Sequence, residues 1–96
     1  MQTDYIIVRE YCRQSCLEPT FLYALEEVGL IELFREEEEM YFTASQLPKL
    51  EQYRRMHEDL SINVEGIDAI QHLLDRMESL REEVNALRSR LRLYEP

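Results

Sequence analysis

Histidine and cysteine are the side chains best suited to hold a metal ion or move a proton near neutral pH, and this 96-residue chain has two of each. His57 and His72 have no cysteine or second histidine at ligand spacing and no HExxH pattern, so both read as structural or solvated side chains. Cys12 and Cys16 sit one helical turn apart, where the Cβ directions do not favour a disulfide. A lone C-x3-C also lacks the second ligand pair of a zinc site. With Gly29 and Gly66 as its two glycines the chain builds no phosphate-cradling loop, and it has neither a Walker pattern nor a G-x-S-x-G elbow. No catalytic, cofactor or metal residue is assigned, and the expectation is a protein that is not an enzyme and carries no cofactor. What the chain has in quantity is carboxylate: 20 acidic side chains against 11 basic ones, for a net charge of -9. Residues 1–60 hold 13 acidic and 6 basic side chains, and residues 61–96 hold 7 and 5, so the excess lies in the first part. Such a surface repels the phosphates of nucleic acid and of anionic membranes, and it attracts and orients a basic protein partner.

The residues expected to do this are Glu26, Glu27, Glu32 and the run Glu36 to Glu39. Positioning them takes several short elements. Val8, Tyr11, Cys12 and Ser15 or Cys16 recur at helical spacing, predicting a first helix that ends near Ser15. A second helix follows almost at once: Pro19 suits its first turn, Phe21, Leu22, Leu25 and Val28 form its apolar stripe, and Gly29 supplies a left-handed cap. Two short helices with a tight connection are a helix-turn-helix candidate. The β-compatible runs Leu30 to Phe34 and Met40 to Phe42, separated by Arg35 and the four glutamates, predict a small hairpin or wing. Thr43 reads as the N-cap of a third helix, with Gln46 as its capping-box partner and Phe42 stapling to Leu47, although Pro48 makes a distorted first turn or a later start at Ser45 the expectation. Leu47, Leu50, Tyr53, His57 and Leu60 carry the stripe of that helix.

Ser61-Ile62-Asn63 breaks the chain again, and Asn63 caps a fourth helix, with Ile62 placed to staple onto Ile67. Ile70, Leu73, Met77, Leu80, Val84, Leu87, Leu91 and Tyr94 alternate spacings of three and four, the seam of a coiled coil. A helix from Val64 to Arg92 would run about 43 Å at roughly 1.5 Å per residue. That is longer than the preceding elements can cover, so homodimerisation through Ile70, Leu73, Met77, Leu80, Val84, Leu87 and Leu91 is expected. The β-branched residues at a and leucines at d favour a parallel pair. The flanking charges are divided, Glu83 with Arg88 and Arg90 with Glu95 agreeing and Arg76 with Arg81 not, so they do not settle the direction. The chain is thus divided at residue 62 into a winged helix-turn-helix head (1–62) and a long helix with its dimerisation seam (63–96).

Tyr11-Cys12 in the first helix, Leu17-Glu18-Pro19 at the turn, Leu25 to Ile31 (LEEVGLI), the wing closing at Tyr41-Phe42, Asp59 to Ile67 (DLSINVEGI) and the coil from Glu82 to Leu91 form a combination that resembles the bacterial chaperone-modulator family of the CbpM type. The likeness covers nearly the whole chain, with DLSINVEGI running into the coil as its most specific part. It implies a mainly α fold: a MerR-like winged helix-turn-helix head with a small β-hairpin wing, followed by a long C-terminal coiled-coil helix. It further implies binding to the J-domain of a DnaJ-like (CbpA-type) co-chaperone, inhibition of that partner's Hsp70 co-chaperone and DNA-binding activities, and a dimer whose long helices pair antiparallel.

Two other functions fit parts of the sequence. One is a MerR-like transcription regulator on operator DNA, disfavoured by a second helix and wing that carry carboxylates where phosphate would lie; the other is a plain dimerisation adaptor. No membrane span or secretory leader is visible, and unpaired cysteines point to a reducing, cytoplasmic compartment.

Overall fold

The computed structural model describes residues 4–94. Strand β1 (Tyr5–Ile7) runs directly into helix α1 (Val8–Ser15), followed by α2 (Pro19–Glu27), β2 (Phe34–Glu36), β3 (Glu39–Thr43), a 3-10 turn (Ala44–Gln46), α3 (Leu47–Leu60) and α4 (Val64–Tyr94). The strands form one antiparallel sheet in the order β1-β3-β2. β1 has no counterpart in the sequence reading. Three residues are too few to show alternation, and Ile7 hands over to α1 with no side-chain cap, so the strand is created by its pairing with β3.

Both early helices end where the sequence places their ends. At α2, Gly29 N–H donates to Glu26 O and Leu30 N–H to Leu25 O, both at 2.9 Å, which is the Schellman arrangement. Gly29 stands at φ +85° with open space where a Cβ would go, so backbone conformation and not crowding calls for glycine. Val28, expected on the buried stripe, is instead the half-exposed cap residue of α2.

The wing differs from expectation in register. Phe34 opposes Tyr41 and Glu36 opposes Glu39, so the turn is the two-residue Glu37–Glu38 and strand β2 starts at Phe34 and not at Leu30. Leu30, Ile31 and Leu33 serve the core from an irregular connection, because their apolar surface gains more from burial than from a ladder position. The expected capping box at Thr43 also does not form. Gln46 instead donates from Nε2 to Glu32 O at 2.9 Å and accepts the Glu32 N–H at 2.7 Å, tying the wing's approach to the start of α3. Pro48 falls in the first turn of α3, where its missing N–H has no intrahelical duty, and the 3-10 turn absorbs the change of direction.

The core is Val8, Tyr11, Cys12, Phe21, Leu22, Leu25, Ile31, Phe42, Leu50, Tyr53 and Ile67. Tyr11 packs edge-to-face on Phe42 at 5.4 Å, and its hydroxyl donates to Glu51 Oε1 at 3.0 Å. Arg54 binds the other Glu51 oxygen through Nε at 2.8 Å and joins Glu58 at 3.4 Å. Leu60, the last residue of the expected α3 stripe, is 67% exposed, since the core ends before it.

Asn63 caps α4 through Oδ1, which accepts Gly66 N–H at 2.8 Å. A Cβ at Gly66 would stand 2.7 Å from Ile62 Cγ2 and 3.1 Å from Asn63 Oδ1, so this glycine is needed for close approach. The first turns of α4 pack on the head, burying Ile67 and Gln71. Beyond them the helix projects into solvent and gives the molecule its 64 Å long dimension.

Candidate protein-interaction site

The head presents a shallow cleft between α2 and the wing, lined by Val8, Arg9, Pro19, Tyr23, Glu38, Glu39 and Met40. In a winged helix-turn-helix this is the side that meets a nucleic acid duplex. Its charges are of the wrong sign for that use. The exposed residues of α2 and its N-cap are Glu18, Thr20, Tyr23 and Glu27, and Arg9, the cation of the cleft, is tied to Glu39 Oε1 at 2.7 Å.

The seven acidic residues singled out from the sequence fall in two groups. Glu26 and Glu27 close α2, with Glu32 in the connection that follows; Glu36 to Glu39 make the wing tip, two in strands and two in the turn. They are not equally available. Glu26 Oε2 accepts the Leu33 N–H at 3.3 Å and Glu39 is paired with Arg9, whereas Glu27, Glu32, Glu36, Glu37 and Glu38 are exposed. Several are also locally unfavourable. Glu26 and Glu27 sit at the negative end of the α2 dipole, and Glu37 holds φ at 57°, a left-handed conformation that favours glycine or asparagine.

Along α4, Ile70 is half-buried, and Leu73, Met77, Leu80, Val84, Leu87 and Leu91 are 45–64% exposed on an apolar row with no covering element among the described residues. Of the aromatic residues, Tyr11, Phe21, Phe42 and Tyr53 are core, while Tyr5, Tyr23 and Phe34 are exposed.

The histidines have local structural partners. His57 stacks on Phe21 at 4.5 Å and donates Nδ1–H to Ile62 O at 3.1 Å, closing the α3–α4 turn. His72 donates Nδ1–H to Asp68 O at 2.8 Å. Burial pushes the Cys12 thiol above its usual pKa, with the nearby Glu18 charge adding to it, while Cys16 is exposed and both are free. Among the described residues no group of three His, Cys, Asp or Glu side chains could hold a metal ion. No helix among them is long and apolar enough to cross a membrane.

Helix-turn-helix, wing and projecting helix together define a class of regulatory protein. The family model for the MerR HTH family regulatory protein matches residues 6–89, and the chain belongs to that family. No curated protein and no solved structure matches it.

Proposed function

We propose that this protein is a non-enzymatic, cytoplasmic regulator of the chaperone-modulator (CbpM) type. Its acidic head binds the J-domain of a DnaJ-like, CbpA-type co-chaperone and blocks that partner's stimulation of Hsp70 and its DNA binding. The observation that carries the reading is the cleft between α2 and the wing: among the described residues the exposed Glu38 there has no ion-pair partner, and Arg9, the arginine of the cleft, is paired with Glu39. J-domains present a basic helix to Hsp70, so competition for that face is the simplest mechanism. Titration of a purified J-domain from the same genome tests it, with an expected Kd of about micromolar or tighter that weakens with salt. Absence of binding at low ionic strength refutes the function. Binding untouched by reversal of Glu36 to Glu39 to lysine refutes that part of the interface.

The second reading, a transcription regulator on operator DNA, draws on the family membership itself. A gel shift on the flanking promoter that survives moderate salt would favour it over the first.

The protein works as a homodimer in this proposal, the partner's α4 covering the exposed seam. Antiparallel pairing with Ile70 opposite the partner's Leu87, Leu73 opposite Val84 and Met77 opposite Leu80 overlaps the two helices over their full length. It also places Arg76 beside the partner's Glu83, twice by symmetry, and lays the stem of Arg81 on Leu74. Shifting by one heptad in one direction sets Arg76 against Arg90 and Glu83 against its own copy; shifting the other way sets Arg76 against itself. The parallel in-register pair sets Arg76 against Arg81 as well as Glu83 against Arg88, so its repulsive and attractive pairs offset, whereas the antiparallel full-overlap register has the Arg76–Glu83 attraction without an Arg–Arg pair at these flanking positions. The antiparallel full-overlap register is therefore the one favoured by charge and length together.

A further inference from the structure

The outer face of the three-stranded sheet carries a feature that neither the fold nor the cleft uses. Residues opposed across antiparallel strands point to the same side of the sheet, and residues two apart on a strand share a face. Phe34 opposes Tyr41, Tyr5 opposes Thr43 and Glu36 opposes Glu39, so Tyr5, Phe34, Tyr41 and Glu36 stand on one face, opposite to the core-facing Ile6 and Phe42. The Tyr5 ring meets Phe34 at 6.3 Å and Tyr41 at 6.4 Å, both nearly perpendicular, and the three rings with Arg35 and Glu36 line an open depression. Tyr5 is 58% and Phe34 43% exposed. A solvent-facing sheet surface is ordinarily polar, and aromatic rings gathered there are typical of interface anchors.

The charges beside the rings select the occupant. Glu36 and Glu39 are directly opposed like charges, a destabilising pair in a hairpin; Glu39 is answered by Arg9, but among the described residues no cation lies within ion-pair distance of Glu36. Arg35 also borders the depression, but its Nε–H is directed at Met40 Sδ at 3.3 Å, across the strand pair, and not at Glu36. An aromatic hollow edged by an unanswered carboxylate suits a guanidinium, which stacks on rings and pairs with the carboxylate together, and it disfavours a nucleic acid base carrying phosphate.

We propose that the outer sheet face is a receptor for an arginine side chain of a protein partner, with Tyr5, Phe34 and Tyr41 packing the guanidinium plane and Glu36 accepting its hydrogen bonds. The inference rests on the reading that the head binds a basic protein surface, and it holds whichever protein supplies the arginine.

The test is fluorescence anisotropy of a labelled oligo-arginine peptide titrated with the full chain, alongside a J-domain and an oligothymidine. Tyr5→Ala leaves the net charge unchanged and is expected to weaken peptide binding roughly 3- to 10-fold, the loss of one cation–π contact. Glu36→Gln is expected to weaken it clearly more than Glu65→Gln, which removes the same charge from α4. Circular dichroism melts verify that the variants fold, and Phe34→Leu, which keeps apolar volume without the ring, replaces Tyr5→Ala if β1 detaches. Equal binding by wild type and the ring variants, together with equal effects of the two Gln substitutions, overturns the proposal, since net charge alone then explains the affinity. Oligothymidine binding lost on Tyr5→Ala overturns it in favour of a nucleic acid surface. A J-domain that fails to bind while the peptide still discriminates the variants refutes the co-chaperone reading and leaves the receptor standing; a J-domain that binds all variants equally does the reverse.

Discussion

Removing the Tyr11 hydroxyl tests the packing between α1 and α3 in a way that pH can read. Tyr11 is 8% exposed, and its hydroxyl donates to Glu51, which Arg54 also holds. Burial first, then the hydrogen bond to Glu51 and the charge of that carboxylate, push the phenol from its ordinary value of 10.0 up to about 12. Because the folded pKa is the higher one, the unfolded chain loses this proton first as pH rises. The stabilisation is therefore complete below about pH 10 and declines until the folded phenol also ionises near pH 12. Two units correspond to at most about 3 kcal/mol lost across that window. At pH 7, Tyr11→Phe keeps the ring on Phe42 and leaves Glu51 with Arg54, so the cost is that of one hydrogen bond, about 1 kcal/mol. Urea unfolding followed by circular dichroism at fixed protein concentration, from pH 7 to 11.5, measures both effects. The variant should start lower and fall less steeply above pH 10, with the remaining slope due in part to Tyr53, whose pKa is also raised by burial and by Asp75 and Asp68. Parallel losses in wild type and variant between about pH 10 and 11.5 would refute this account of Tyr11.

Other outcomes follow from single positions. Glu37→Gly should raise stability by roughly 0.5–1 kcal/mol, measured by urea unfolding, because φ 57° costs a glutamate what it does not cost a glycine. Gly66→Ala, which in an open helix would gain about 1 kcal/mol, should instead lower the melting temperature, because the new Cβ would stand 2.7 Å from Ile62 Cγ2. The burial of Glu51 acts to raise its carboxyl, but the hydrogen bonds from Arg54 and Tyr11 outweigh it and hold the pKa below the usual range. Its stabilisation is thus present above the unfolded pKa and lost as pH falls through the folded one, so Arg54→Gln should flatten acid unfolding in the lower part of the carboxylate range. With Cys12 and Cys16 replaced by serine, mixing Met77→Cys with Leu80→Cys chains should yield a disulfide-linked heterodimer by mass spectrometry; homodimer links at each position alone would show a parallel pair.

Legibility varied with the range of the interaction responsible. The ends of α2 and the start of α4 are written in Pro19, Gly29 and Asn63, whose effects reach only a few residues along the chain. The apolar row of α4 is legible because helical periodicity repeats over many turns, and the structure leaves that row exposed. Strand β1 was not legible, since Tyr5 to Ile7 become a strand only by meeting β3. Gln46 has the spacing of a local cap but bridges to Glu32, because a competing backbone partner lies in a distant segment. The acidic candidates are visible as residues, but their availability is not: Glu26 and Glu39 are engaged within the head, and Glu36, beside three rings, has no ion-pair partner among the described residues.

Composition and local pattern alone established an acidic chain with a helix-turn-helix, a wing and a long amphipathic helix. Those properties depend on side-chain charge and on periodicities within one segment, which need no knowledge of where other segments lie. Tertiary structure alone decided the hairpin register, the third strand and the gathering of Tyr5, Phe34, Tyr41 and Glu36 on one face. Each is a choice among pairings of nearly equal local merit, and burying Ile6, Phe42 and Ile31 in a single core is what selects between them.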